Sequence, residues 1–259
     1  MRIVVKVGTS TLAHATGRLN VRQVERLTKV MSDLKNQGHE LILVSSGAIG
    51  MGVGKLNLKS RPEDIPTKQA AAAVGQCELM YIYDKLFGEY HHTVAQILLT
   101  GEDFEVPQRH RNLSNTLARL LELGALPIIN ENDTVAIHEI EIGDNDTLSA
   151  LVAMDVQADL LVLLSDIDGL YTADPHTDPT ASLIPMVDGV DEGVLALAGG
   201  AGSALGTGGM RTKLNAARLV TQKGIDMVIT NGNRPDCLYE IVQEGRGGTR
   251  FLGQKGGKR

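Results

Sequence analysis

The chain reads as an α/β protein, a three-layer αβα sandwich built around a mostly parallel, open sheet. Three observations carry this expectation. Short β-branched or apolar runs recur along its 259 residues, helical-period segments stand between them, and glycines cluster in a few loops. Runs that are apolar at every position suit strands buried on both faces, as parallel sheets require. Ligands of such sheets gather beyond the carboxyl ends of the strands, so the loops after strands are the places to search.

Strands are expected at residues 3–7, 41–44, 94–99, 126–129, 160–164 and 227–229. Between the first two, Val21, Val24, Leu27, Val30, Met31 and Leu34 recur at helical spacing. Asn20 opens that helix with Gln23 three residues on, and Gly38 closes it. Further helices are expected over 67–87, over 112–123 ahead of Gly124, over 147–156, and over 210–223 ahead of Gly224. Segment 50–66 reads equally as a mobile linker or as backbone turned toward an anion. Without repeats or low-complexity linkers, residues 1–259 are expected to form one domain, with lobes of about 1–155 and 156–259 and a fraying Gly- and Lys/Arg-rich tail at 253–259.

Composition narrows the function. Lys plus Arg number 25 against 31 Asp plus Glu, a formal charge of −6, which argues against a basic nucleic-acid-binding surface. Aromatic residues make up 3% and Trp is absent, so a stacking platform is hard to assemble. Cys77 and Cys237 show no C-x-x-C spacing, which points to neither a disulfide framework nor a zinc knuckle. Lys6 interrupts the opening apolar run, unlike a secretory signal, and no stretch approaches the roughly 20 apolar residues of a membrane span. A cytoplasmic protein handling small polar ligands is expected. The letters contain no P-loop, no G-x-G-x-x-G, no H-E-x-x-H and no G-x-S-x-G. His91 and His92 fall at a strand entrance and are read as solvated or structural.

Four motifs remain. Lys6 lies inside an apolar strand just before Gly8, Thr9 and Ser10; burying an unpaired ammonium is costly, so it should meet an anion at the strand's end. A lysine on an exposed edge strand would read the same way. After the second strand, Ser45-Ser46-Gly47-Ala48 offers small residues whose N–H groups can face a carboxylate or phosphate. The clusters Asn130 to Thr134 and Gly143 to Thr147 supply both donors and acceptors, the pairings a zwitterionic amino acid needs, although Asx residues also cap helices and make turns. Finally, GGAGSALGTGGMRTK over 199–213 places glycines ahead of a helix N-terminus, with Lys213 one turn in; it reads as an anion cradle or as an ordinary Gly loop.

Together and in this order, VVKVGTS, SSGAIG, INENDTVA, GDNDTLSA, LLSDIDGLYTADP and GTGGMRTK resemble the glutamate-phosphorylating branch of the amino acid kinase family, over residues 1 to about 250. GTGGMRTK and GLYTADP occur in several branches, whereas SSGAI followed by INENDTVA and GDND is specific to this one. The resemblance implies the amino acid kinase fold and ATP-dependent, Mg2+-assisted phosphorylation of the γ-carboxylate of L-glutamate to L-glutamyl 5-phosphate, the first step toward proline. It assigns Lys6 and Lys213 to the transferring phosphoryl group and Asp146 to orienting them. Ser46, Asp133 and Asn145 would hold glutamate. Ser165, Asp166, Thr207, Gly208, Gly209, Met210, Arg211 and Thr212 would hold the nucleotide together with Lys6 and Lys213, and Tyr171 and Asp174 would border the adenosine. No metal site made by the protein itself is implied.

The resemblance further implies proline as feedback inhibitor, a homo-oligomer, and hand-over of the product to a glutamyl phosphate reductase, with no nucleic-acid or membrane partner. Many relatives carry an additional PUA domain, for which a chain ending at Arg259 has no room. Arg211 stands where relatives are often small and neutral; it adds a phosphate contact or faces water. A carboxylate acceptor titrates near 4.3 and is ionised at neutral pH, so no general base is needed. Catalysis then reduces to alignment and charge neutralisation. The rival readings are a relative acting on acetylglutamate, carbamate, uridylate or isopentenyl phosphate, which the first half of the chain discriminates, and a silent amino-acid sensor, against which both retained lysines speak.

Overall fold

The structure, a computed structural model, describes residues 1–14, 18–136, 144–175, 177–198 and 209–254. The elements run β1 (Arg2–Val7), α1 (Thr9–Leu12), α2 (Val21–Asn36), β2 (Glu40–Ser45), α3 (Ala48–Lys55), α4 (Ile65–Gly88), β3 (Val94–Leu99), α5 (Glu102–Glu105), α6 (Pro107–Glu122) and β4 (Leu126–Glu131). They continue with α7 (Asn145–Asp155), β5 (Leu160–Ser165), β6 (Met186–Val187), α8 (Glu192–Ala196), α9 (Met210–Thr221), β7 (Asp226–Asn231), α10 (Cys237–Tyr239), a π-helical turn (Glu240–Glu244) and β8 (Thr249–Phe251). All six expected strands and all five expected helices are present.

The eight strands form one sheet in the order β3-β4-β2-β1-β5-β7-β8-β6. Every pairing from β3 to β7 is parallel; β8 joins β7 antiparallel and carries β6 alongside it. Both faces are covered, which is why the central strands are apolar throughout. Side chains alternate along a strand. Ile3, Val5 and Val7 of β1 therefore pack with Val24, Leu27 and Met31 of α2 and with Leu79, Tyr83 and Phe87 of α4, while Val4 joins Leu117 of α6, Leu148 and Val152 of α7, and Leu214 and Val220 of α9. Lys6 has the parity of Val4, so its side chain belongs to the α7 and α9 side.

Helix starts follow local chemistry. Asn20 accepts a bond from Gln23 N at 3.3 Å, Asp64 one from Thr67 N at 2.9 Å, and Asp144 one from Thr147 N at 2.8 Å. Pro66 and Pro107 occupy the first turns of α4 and α6, where a missing N–H costs nothing. Cys77 and Cys237 are both free thiols. His92 Nε2 lies 3.3 Å from Ser32 O, the structural role expected of it.

Within segment 50–66 the linker reading fails for residues 50–55, which are helical, while residues 56–64 connect α3 to α4. Gly47, at φ +103°, occupies the left-handed region and turns the chain from β2 into α3. Gly52 of α3 and Gly75 of α4 then serve packing. A Cβ on Gly52 would lie 1.8 Å from Ala71 O, and one on Gly75 would lie 1.7 Å from Ala48 O, so α3 and α4 touch backbone to backbone. Gly75→Ala should therefore lower the unfolding free energy by at least about 1–3 kcal/mol, the usual penalty of overpacking. Gly88→Ala meets nothing within 4 Å and should leave stability unchanged or raise it by up to ~1 kcal/mol. Urea melts of the two variants check this; equal midpoints would refute the contact.

Candidate active site

Strand order reverses at β1. The chain leaves β1 toward β2 on one side and fills in β3 and β4 beyond it; only then does it return to β5 on the other side. That switch point opens a crevice at the carboxyl ends of β1 and β5. Lys6 lies at that end of β1, opposite Val44 of β2 and Leu163 of β5.

Two helices aim their N-termini at the same place. In α7, Asp144 takes the cap position, its carboxylate accepting from Thr147 N at 2.8 Å and Thr147 Oγ1 at 3.0 Å. Successive helical residues point about 100° apart, so Asn145 and Asp146 turn to different partners. Asp146 Oδ1 lies 2.7 Å from Lys6 Nζ, an ion pair. Asp146 Oδ2 lies 3.1 Å from Lys213 Nζ and accepts from Thr212 Oγ1 at 2.8 Å. Thr212 Oγ1 also lies 2.8 Å from Gly209 O, tying the start of α9 to this carboxylate.

All three charged groups are out of water: Asp146 is 1% exposed, Lys213 6% and Lys6 8%. Burial alone would push the Asp146 carboxyl up. The ammonium groups of Lys6 and Lys213, with the bonds from Lys6 and Thr212, outweigh it and hold it at about 2. Asp146 is thus a fixed anion that gathers two cations.

Asn145 faces the other way. Its Nδ2 donates to Ser46 Oγ at 2.7 Å and Asn130 Oδ1 at 3.0 Å, and lies 3.4 Å from Ser45 O. Ser46 is itself anchored by its N–H to Val7 O at 3.1 Å, beside Lys6. Asp133 sits half-buried in the turn after β4. On the other flank Ser165 ends β5, its Oγ donating to Asp166 Oδ1 at 3.1 Å. Further along, Tyr171 OH donates to Asp168 Oδ2 at 3.3 Å, and Asn231 Nδ2 to Asp168 Oδ1 at 2.7 Å. Asp174 heads a turn, its carbonyl accepting from Thr177 N and Asp178 N.

The structure thus brings Lys6, Asp146, Thr212 and Lys213 into one cluster and Ser46 with Asn145 into an adjoining one, joined through neighbouring residues of α7. Gly209 caps α9, Met210 opens it, and Arg211 is exposed. Thr207 and Gly208 lie outside the described residues, as does Gly143. The sequence reading missed Gln76 and Tyr83, which support the Ser46 and Asn145 side of the site, and gave the side chains of Ser45 and Asn130 no role of their own.

A doubly wound sheet with two buried lysines fixed at its switch point is the arrangement of an α/β enzyme that handles anions. The amino acid kinase family model matches residues 1–231, and the chain belongs to that family. It is similar to the glutamate 5-kinase of Clostridium acetobutylicum, at 54% identity over 251 residues, 97% of this chain and 94% of the relative. The glutamate 5-kinase of Clostridium perfringens is 52% identical, with 98% and 96% covered. That of Caldanaerobacter subterraneus is 52% identical over 98% of this chain and 68% of its own. Among solved structures, carbamate kinase from Giardia lamblia bound to AMP-PNP superposes with a TM-score of 0.69 at 17% identity, covering 97% of this chain and 98% of its own. UMP kinase from Bacillus anthracis gives 0.67 at 14%, covering 98% and 96%. These two likenesses are of fold alone.

Because the folded-state carboxyl of Asp146 titrates below its ordinary 3.8, it stabilises the fold above about pH 4, and that contribution disappears as pH falls through about 2. The gap in unfolding free energy between the wild type and Asp146→Asn should accordingly narrow by about 2 kcal/mol between about pH 5 and pH 2. A gap that ignores pH, followed by chemical denaturation, would show that the two ammonium groups do not depend on this charge.

Proposed function

We propose that this protein transfers the γ-phosphoryl group of ATP to the γ-carboxylate of L-glutamate, giving L-glutamyl 5-phosphate and ADP. The observation that carries the reading is the convergence of Lys6 and Lys213 on Asp146 at the sheet's switch point. Curated glutamate 5-kinases more than half identical over nearly the whole chain supply the substrate.

In this mechanism a γ-carboxylate oxygen attacks phosphorus in line with the bridging oxygen to the β-phosphate; the new O–P bond forms as the old one breaks, and ADP leaves. Lys6 and Lys213 neutralise the charge on the moving group and its leaving oxygen. Asp146 holds both ammonium groups in place and, being held ionised, takes no proton from the acceptor. Glutamate needs no base, since its carboxyl is already charged at neutral pH. Ser46, Asp133 and Asn145 bind glutamate, within the N-terminal lobe of about 1–155. Ser165, Asp166 and residues 207–213 bind ATP, with Tyr171 and Asp174 beside the adenosine, in the remainder.

Magnesium takes few protein ligands and is usually carried on substrate phosphates. That fits a site whose innermost carboxylate is already occupied by two lysines, and among the described residues no three His, Cys, Asp or Glu group to hold a metal. Bound with ATP, it would shield the phosphate oxygens. No helix among the described residues is long and apolar enough to cross a membrane. The same reading has the enzyme act in the cytoplasm as a homo-oligomer, respond to proline, and pass its hydrolysis-prone acyl phosphate to a reductase.

With ATP, magnesium and L-glutamate the protein should yield a product trapped by hydroxylamine as the hydroxamate. Equal or faster turnover of acetylglutamate or a nucleoside monophosphate would overturn the substrate assignment. Lys213→Ala should lower kcat by roughly a hundredfold or more, the loss seen when a preorganised charge contact is removed; near-normal turnover would remove Lys213 from the chemistry.

A further inference from the structure

α4 is apolar on most of its circumference, and its inward face carries Ala71, Ala72, Gly75, Leu79, Tyr83 and Phe87. Gln76 lies on that buried face too, 7% exposed. A buried amide has to place both ends of its dipole. Gln76 Oε1 accepts from Asn130 Nδ2 at 3.0 Å; Asn130 Oδ1 in turn accepts from Asn145 Nδ2, which also reaches Ser46 Oγ and Ser45 O.

The polarity of this chain is set from its Ser45 end. Ser45 O is a backbone carbonyl, so only the NH2 group of Asn145 can face it. Asn145 must then meet an oxygen on Asn130, and the NH2 of Asn130 must meet an oxygen on residue 76. One orientation of each amide is compatible with these contacts, and it turns Asn145 Oδ1 away from the chain. A second arm from the same helix, two turns on, reaches the same loop: Tyr83 OH lies 2.9 Å from Ser45 Oγ, which donates to Ser46 O at 3.2 Å. Burial pushes the Tyr83 hydroxyl up, so it stays neutral, with a proton to donate. Gln76 cannot drift, because the adjoining Gly75 is pressed against Ala48 O of α3.

We propose that Gln76 is a positioning residue for the acceptor substrate: through Asn130 it fixes the direction in which the Asn145 amide faces the acceptor pocket. The proposal rests on the reading that Ser46 and Asn145 hold glutamate. It goes beyond that reading by giving α4, which supplies none of the proposed ligands, control of the acceptor side alone. The phosphoryl side hangs on Asp146 and is untouched by the relay. Replacing Gln76 by an isostere without an acceptor leaves Asn130 Nδ2 buried without a partner and free to exchange places with Oδ1. Asn145 then loses its acceptor.

The test compares full-length wild type with Gln76→Met, Gln76→Glu and Leu79→Ala in steady-state assays that vary glutamate and ATP separately, together with melting curves. Gln76→Met should raise KM for glutamate about tenfold, the loss of one neutral hydrogen bond, with kcat and KM for ATP within about twofold. Gln76→Glu keeps an oxygen for Asn130, and its KM for glutamate should stay below that of Gln76→Met. Leu79→Ala, a packing change one turn along, should lower the melting temperature without that split. An unchanged KM for glutamate in Gln76→Met, or equal rises in the two Gln76 variants, overturns the proposal. So does a Gln76→Met effect matched by Leu79→Ala. If wild type fails to phosphorylate glutamate, the substrate reading fails first and the proposal falls with it.

Discussion

Everything at the working end of this protein depends on one buried carboxylate holding two ammonium groups. Three charges at 1–8% exposure are each expensive to remove from water, and they persist only because they face one another. Their meeting dictates much of the architecture. Lys6 has to end a strand at the reversal of strand order, on the face where α7 and α9 lie. Asp146 has to be the second residue of α7 and Lys213 the fourth of α9. Thr212 then fastens the two helix starts to each other through the same carboxylate. Breaking such a triad by deleting one member strands the others, which makes it a strong constraint on conformation irrespective of its net worth in stability.

The first turn of α7 also joins the two halves of the site. Asp144 spends its side chain on the helix cap, Asn145 turns toward β2 and β4, and Asp146 turns toward β1 and α9. Three consecutive residues thus serve three different ends, and no side chain is shared between the Ser46–Asn130 cluster and the lysine cluster. Distance between the two groups is set by the helix backbone, which is stiffer than any side-chain contact. For an in-line transfer that depends on alignment, a rigid spacer of this kind suits the chemistry.

The architecture was legible in the sequence wherever burial left a period: apolar strands, capped amphipathic helices, and glycines after strands. Lys6 stood out because a charge inside an apolar strand has to be explained, and Lys213 because it follows a glycine-rich helix start. Helix α3 was not legible. Its glycines read as freedom, whereas Gly52 admits the Ala71 carbonyl of α4, the next helix in the chain. The edge strands β6 and β8, of two and three residues, are too short to carry a pattern. Gln76 was missed because nothing local distinguishes it from Gln69 of the same helix; its meaning comes from Asn130, 54 positions away.

Fold neighbours at 14–17% identity share this sheet almost end to end. A framework so widely shared cannot by itself choose the acceptor. On the proposed assignment the choice lies at the carboxyl ends of β2 and β4, where Ser46, Asn130 and Asn145 form a set of amide and hydroxyl groups with one consistent polarity. Uncharged groups of this kind discriminate by direction rather than by charge, because a misplaced donor in a dry pocket costs more than a correct one gains. That asymmetry is the physical reason for a polar side chain deep on α4. An acceptor site at Ser46 and Asn145, as proposed, needs its amides held in one orientation before any substrate arrives, and a rigid support at hand is the helix clamped against α3 at Gly75.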